Sequence, residues 1–142
     1  MTDQDLRDRL AIADLFATAT QAGDARKADA YADCFTADGV LQLDDAIVGR
    51  EAIRAWMGGA AIIPQPKGGK PGFVSHHLTT CKITLTGEDT AKARTYWLVT
   101  SAAGLDHNGY YDDQLRKEDG QWRLAHRRPR TLWISPTSVL HG

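Results

Sequence analysis

Apolar residues recur every three or four positions near the start of the chain, which is the spacing of one buried helix face. The clearest stripe consists of Ile12, Leu15, Phe16 and Ala19. Thr2 and Asp5 have the spacing of a capping box, so the pattern predicts a helix from there to about Ala22. Gly23 then suits a helix C-cap, and Asp24 suits the N-cap of a second helix.

Shorter elements follow. The second helix buries Tyr31, Cys34 and Phe35 by the same spacing rule. Residues 36–39 have turn composition, and residues 40–43 have the composition of a first strand. Residues 49–57 predict a third helix. Residues 58–72, rich in glycine and proline, predict a long loop of the kind that often covers a functional site.

The second half of the chain has the alternation typical of β-strands. Strand-like segments lie at residues 73–85, 90–101, 109–117 and 121–128, with hairpin turns at residues 87–89 and 118–120. Helices first and neighbouring antiparallel strands second predict an α+β layer fold. The length fits a single domain spanning residues 1–142.

Side chains on a strand alternate between its two faces, so parity indicates which residues face the core. In the segment at residues 73–85, Ile83 and Leu85 mark the apolar face, and extending that parity backwards places His77 on it. His76 then falls on the outer face with Lys82. A β-bulge between these positions would exchange the two histidines.

The same reasoning assigns the next strands. Trp97 faces inward, and the parity of Trp122 and Leu124 carries His126 inward while Arg127 faces outward. The segment at residues 109–117 stays open, because either Tyr110 with Asp112 or Tyr111 with Asp113 could line the interior. Two histidines and at least one aromatic ring are thus expected around one apolar cavity.

Composition narrows the function further. Apolar residues make up 42%, charged residues 25%, and the formal net charge is −1, without a basic stripe. We therefore expect neither a nucleic-acid nor a membrane partner. Cys34 and Cys81 are read as small buried thiols, and the polar N-terminus favours a cytoplasmic protein. No metal-ligand spacing such as HExxH or CxxC is present, so neither a metal site nor a cofactor is expected.

Six short motifs, in order, resemble the SnoaL-like branch of the nuclear transport factor 2-like superfamily. They are the helix ending in GDA, then FTADGV, GREAI, HHLTT, AKARTYWLV and finally GYYDDQLRKEDGQWRLAHR. The branch includes scytalone dehydratase and hexachlorocyclohexane dehydrochlorinase. The resemblance implies a cone-shaped curved antiparallel sheet, with N-terminal helices closing a central pocket.

In those two enzymes a strand histidine is the general base, and the HHLTT match carries that role onto His77. The enzymes pair this histidine with an aspartate late in the first helix. Our alignment puts Gln21 at that position and Asn108 near the dehydratase's second histidine. Gln21 could orient His77 through its carbonyl oxygen, although it stabilises an imidazolium less than a carboxylate does; Asp112 or Asp44 could take this role instead.

These observations favour a cofactor-independent lyase or isomerase for a small cyclic or aromatic molecule, with His77 as base and His126 or Tyr111 as acid or oxyanion donor. The expected substrate-binding residues are Gln21, Trp56, Trp97, Tyr110, Asp112 and Asn108. The alternatives are a polyketide-cyclase or hydrolase-type enzyme, a non-catalytic binding or assembly module, and a dioxygenase small subunit. The resemblance also implies a homo-oligomer, a trimer or a dimer.

Overall fold

The structure is a computed structural model that describes residues 1–59 and 73–141. Most of the loop predicted at residues 58–72 therefore lies outside the described residues. The helices are α1 (Asp3–Asp24), α2 (Ala28–Ala32) and α3 (Arg50–Met57). The strands are β1 (Phe35–Gln42), β2 (Ala46–Val48), β3 (Val74–Leu85), β4 (Thr90–Ser101), β5 (Gly104–Glu118) and β6 (Gln121–Ile134), followed by a short 3-10 turn at Val139–His141.

The strands form one curved sheet in the order β2-β1-β6-β5-β4-β3. Its neighbours are antiparallel except β1 and β6, which run parallel. The helices pack on one face of this sheet, with a core shared between α1, β1 and the β4–β6 strands. The predicted α+β cone is confirmed, and the parallel pair is an addition to it.

Helix α1 begins as predicted, because both hydrogen bonds of the Thr2–Asp5 capping box form. Its buried face includes Ile12 and Phe16, each of which contributes about 1.5–3 kcal/mol by leaving water. The helix continues through Asp24, two residues beyond the predicted end. Helix α2 starts after Lys27, so the prediction of Asp24 as its N-cap is wrong.

A buried carboxylate fastens α1 to the β5–β6 hairpin. Asp8 accepts hydrogen bonds from the indole nitrogen of Trp122 at 3.0 Å and from Gln4 at 3.1 Å, and pairs with Lys117 at 3.0 Å. Burial works to raise the pKa of Asp8, but these partners outweigh it and hold the pKa below its usual value. The carboxylate is therefore ionised where the helix crosses the sheet.

Several local predictions between α2 and α3 differ from the structure. Helix α2 ends at Ala32, and Phe35 already belongs to β1, as do the residues predicted to form a turn at 36–39. Strand β2 was not predicted. Cys34 is buried as expected, whereas Cys81 is exposed.

Two β-bulges decide which residues face the core. In β3, Leu78 pairs with Trp97 and Cys81 with Thr95, so β3 has one extra residue between these pairs. In β6, Leu124 pairs with Leu115 and His126 with Gln114, so Ala125 is extra. Each extra residue reverses the parity of everything beyond it.

Among the described residues, no helix is long and apolar enough to span a bilayer.

Candidate functional site

A cavity of about 340 Å³ lies between the helices and the inner face of the sheet. Its size falls within the range of small-molecule pockets. Much of its wall is apolar, and includes Leu41, Leu43, Trp56, Met57, Trp97 and Leu140. Its polar groups are fewer, and include Thr20, Asp24, His76, His107, Tyr111 and Arg127. An apolar cavity with a few convergent polar groups is the usual form of a ligand or active site.

The first polar pair joins the end of α1 to β3. Asp24 accepts the ring Nδ1–H of His76 on one carboxylate oxygen at 2.6 Å and the backbone N–H of His76 on the other at 2.8 Å. Because a carboxylate only accepts, the proton lies on Nδ1 and the Nε2 lone pair of the neutral ring is available for chemistry. The side chains are 23% and 30% exposed, so the pair is reachable from solvent.

The second pair lies on β5. His107 donates from Nδ1 to Asp106 at 2.7 Å, and its ring centroid is 6.5 Å from that of His76. Asp106 is fully buried, and also accepts hydrogen bonds from Ser101, Ser138 and the backbone N–H of Val139. Burial alone would raise the pKa of Asp106, but these hydrogen bonds together lower it far below its usual value.

The third polar group is a buried ion pair in the cavity wall. Arg127 on β6 forms two hydrogen bonds with Asp113 on β5, at 2.9 and 3.0 Å. Its guanidinium lies 3.9 Å from the ring centroid of Tyr111. Burial would lower the pKa of Arg127, yet the Asp113 carboxylate raises it, so the guanidinium stays charged. Burial also raises the pKa of Tyr111, which keeps its phenol protonated and able to donate.

Trp97 packs against both histidines. Its ring centroid is 6.2 Å from that of His76 and 5.5 Å from that of His107. Gly109 makes this packing possible, because a Cβ there would lie 2.7 Å from a Trp97 ring carbon and 1.9 Å from the carbonyl oxygen of Arg130. The Trp97 indole N–H is buried and has no acceptor among the residues that the structure describes.

The prediction that His77 faces the cavity is wrong, because the bulge in β3 exchanges the two histidines. His76 lines the cavity, whereas His77 is exposed on the opposite face and its Nε2 lies 3.1 Å from the hydroxyl of Thr100. The predicted inward orientation of His126 is also wrong, because of the second bulge, in β6. The bulge at Ala125 turns His126 outward and Arg127 inward.

The sequence left open whether Tyr110 with Asp112 or Tyr111 with Asp113 faces inward on β5, and the structure shows that Tyr111 and Asp113 do. Tyr111 lines the cavity, and Asp113 is buried beside it. Tyr110 and Asp112 lie on the outer face, where both contact Arg94. Asp112 and His126 line an open, charged depression of about 490 Å³ on that face, so neither belongs to the cavity as predicted.

Two further expected ligand contacts are corrected. Gln21 is exposed and does not line the cavity, because the aspartate of the GD turn itself, Asp24, reaches the strand histidine. Asn108 also lies outside the cavity wall, whereas its neighbour His107 lines the cavity. By contrast, Trp56 and Trp97 lie in the wall as expected. Their roles stay predictions.

Four polar groups of the cavity were missed. Asp24 and His76 pair across 52 positions of sequence, which no local pattern indicates. His107 lay just before the segment predicted as a strand, and Arg127 was read as an outer-face residue. A signal was present for Asp24, since the resemblance implies an aspartate late in the first helix and Asp24 is the last residue of α1. No cluster of three or more His, Cys, Asp or Glu side chains suited to a metal occurs within residues 1–59 and 73–141.

The comparisons with known proteins agree with this architecture. The family model of the SnoaL-like domain matches residues 4–128. The solved structure of a variant of Rv3472, a protein of unknown function from Mycobacterium tuberculosis, is 31% identical; the match covers 93% of this chain and 80% of that one, with a TM-score of 0.75. Among curated proteins, no sequence matches significantly.

Two solved structures with named activities share the fold. A protein from Novosphingobium aromaticivorans, provisionally named a scytalone dehydratase, is 24% identical, with 95% of this chain and 91% of that one covered and a TM-score of 0.78. A hexachlorocyclohexane dehydrochlorinase, LinA-type3 from Novosphingobium barchaimii, is 17% identical, with 94% and 92% covered and a TM-score of 0.77. At these identities the likeness shows the fold alone.

Proposed function

The chain belongs to the SnoaL-like domain family, and from that premise we propose that it is a cofactor-independent lyase or isomerase for a small cyclic or aromatic molecule, with His76 as general base. The observation that supports this most directly is the Asp24–His76 pair in the wall of a largely apolar cavity. A neutral imidazole whose Nδ1–H is held by a carboxylate presents a basic Nε2 near neutral pH. His76 thus takes the role that the sequence resemblance assigned to His77.

The carboxylate serves the base in two ways. Asp24 fixes the tautomer of His76, and its negative charge stabilises the imidazolium that forms when Nε2 accepts a proton. The second hydrogen bond, from the backbone N–H of His76, fixes the carboxylate itself at 2.8 Å. The base is therefore held in orientation before a ligand binds, which lowers the reorganisation required during the reaction.

His107 supplies the second proton-transfer group. In an elimination, Nε2 of His76 takes a proton from carbon, the C–H electron pair forms the new double bond, and the leaving group departs with a proton from protonated His107. In a double-bond migration, the proton is returned at a different carbon. The two ring centroids lie 6.5 Å apart and both rings line the cavity, so one small molecule could contact both.

The aromatic wall suits a ring-shaped substrate. Trp56 and Trp97 offer flat apolar surface, and the Tyr111 phenol can donate a hydrogen bond. A substrate with a carbonyl oxygen could accept this hydrogen bond from Tyr111. A carbonyl oxygen held there would become the oxyanion when His76 removes a neighbouring proton.

Proton abstraction can be measured without knowing the physiological substrate. We expect the wild-type protein to accelerate exchange of the α-protons of small cyclic ketones such as 1-indanone in D₂O, followed by NMR. His76→Gln should lose about 10²- to 10⁴-fold of that acceleration. His77→Gln is the matched control, since the neighbouring histidine lies outside the cavity wall, and it should keep the wild-type rate.

The proposal is wrong if the wild-type protein accelerates no ketone of the panel, or if His76→Gln retains full activity while folded. A protein that binds these ketones without exchanging their protons would instead be a binding module of the same fold.

A further inference from the structure

The Asp106 carboxylate is saturated with hydrogen bonds in a fully buried position. One oxygen accepts from His107 Nδ1 at 2.7 Å and from the Ser138 hydroxyl at 2.5 Å. The other accepts from the Ser101 hydroxyl at 2.6 Å and from the Val139 backbone N–H at 2.9 Å. Only one of these four hydrogen bonds orients His107, so the other three donors need a separate explanation.

Two of these donors belong to the segment that follows β6. We call residues 135–141 the C-terminal strap. The backbone N–H of Ser135 also donates to the backbone oxygen of Asp106, at 2.8 Å. Among the residues that the structure describes, every hydrogen bond that joins the strap to the preceding fold ends on Asp106. The other hydrogen bonds of the strap lie within it.

The strap is part of the cavity wall, because Val139 and Leu140 line the cavity together with His107. We propose that Asp106 is a positioning residue that sets the orientation of His107 and holds the strap against the cavity as one unit. The strap and the second histidine would then be ordered, or released, together. The consequence for catalysis rests on the proposed function, whereas the orientation and the anchoring are properties of the free protein.

The donors at Asp106 make the proposal sharply testable, because an asparagine cannot replace this carboxylate. A carboxylate accepts on both oxygens, whereas an asparagine side chain has one oxygen and one amide group that only donates. With its amide toward Val139, the strap N–H loses its acceptor. With its amide toward His107, the ring must move its proton from Nδ1 to Nε2. Either arrangement breaks one of the two functions that we assign to Asp106.

The experiment compares Asp106→Asn with the wild type by two measurements. The ¹⁵N shifts of labelled histidine report the His107 tautomer at a pH where the ring is neutral, and hydrogen exchange reports the amides of Val139 and Leu140. We expect the Nδ1–H tautomer in the wild type. In the variant we expect loss of that tautomer, a rise of about tenfold in strap exchange, or both. Asp112→Asn, an exposed aspartate on the same strand, should change neither.

A second pair of variants keeps the test valid if Asp106→Asn does not fold. Ser138→Ala and Ser101→Ala each remove one buried hydroxyl from Asp106, but only Ser138 belongs to the strap. Ser138→Ala should speed exchange of the Val139 amide, which donates to Asp106, and Ser101→Ala should leave that amide at the wild-type rate; only Val139 is compared here, because the Leu140 N–H donates to the Ser138 hydroxyl itself. The proposal is overturned if the two serine variants exchange alike, or if a folded Asp106→Asn protein keeps both the His107 tautomer and the strap protection. Neither result depends on the assignment of His76 as a base.

Discussion

Replacement of Asp24 by asparagine isolates the contribution of the carboxylate to the His76 base. Asp24 uses both oxygens on the same residue, one for the ring and one for the backbone N–H of His76. The asparagine oxygen can serve only one of these donors. Because the backbone N–H cannot change its role, the amide group of the variant should face the ring, which must then carry its proton on Nε2 and lose its basic nitrogen.

The expected magnitude follows from the lost interaction. A hydrogen bond to a charged group contributes about 1.5–3 kcal/mol, and each 1.4 kcal/mol is a factor of ten in rate, so loss of the charge alone predicts a decrease of about 10- to 150-fold. The unfavourable tautomer adds to this, and the equivalent change in the serine-protease triad costs about 10⁴-fold. We therefore expect Asp24→Asn to lower proton exchange by between about 10- and 10⁴-fold.

The assay is the ketone exchange measurement described above, run at neutral pH beside a urea unfolding curve that verifies the fold. Asp14→Asn is the matched control, because Asp14 is an exposed aspartate on the same helix. If Asp24→Asn exchanges ketone protons at the rate of the Asp14→Asn protein while His76→Gln does not, the carboxylate contributes nothing to the base and the reasoning from geometry fails.

Two further predictions concern stability. Asp113→Asn leaves the buried Arg127 without its counter-ion and should lower the free energy of unfolding by about 3–5 kcal/mol. Asp112→Asn breaks an exposed arginine pair one residue away and should cost about 1 kcal/mol or less. Equal losses of stability in urea unfolding would contradict the difference in burial between the two pairs. The lowered pKa of Asp8 means that its stabilisation is present above the unfolded-state pKa near ~4 and is lost as the pH falls through the folded-state pKa. Asp8→Asn should therefore be less stable than the wild type at pH 7, with a gap that narrows on acidification; a constant gap would show that the charge is irrelevant.

The fold was largely predictable because its signals are local and repeated. The stripe of Ile12, Phe16 and Ala19 and the capping box defined α1, and alternation defined most of β3 and β4. The parallel pairing of β1 with β6 was not predictable in the same way. It joins segments about 90 residues apart, and nothing in either strand alone specifies its partner.

The site was less predictable, because the side of the sheet that a residue faces depends on strand register as well as on composition. Parity extended from Ile83 predicted that His77 faces the cavity, and parity extended from Leu124 predicted the same of His126. Both extrapolations crossed a bulge, and a bulge is a property of two paired strands. The inward orientation of Trp97 was predicted correctly, because β4 has no extra residue between Trp97 and the charged residues Lys92 and Arg94 that fixed the parity of the strand.

Asp24 shows a different limit. A glycine followed by aspartate at a helix end satisfies the local rule for the cap of a new helix, and the sequence contains nothing that contradicts that reading. The carboxylate is instead used by a strand 52 residues away. Local propensity misplaced the end of α1 by two residues here, and the contacts of the side chain were decided by tertiary structure.

The bulge in β3 also bears on how this wall can change in evolution. It divides the strand into a half that presents His76 to the cavity and a half that presents Ile83 to the core. Loss of the bulge without a change in chain length would move the N-terminal half of β3 by one residue against β4, bring His77 to the cavity and leave the placement of Ile83 unchanged. Two adjacent histidines beside a bulge thus keep an imidazole at the cavity whether the bulge is present or lost, a tolerance that a lone histidine on a regular strand would lack.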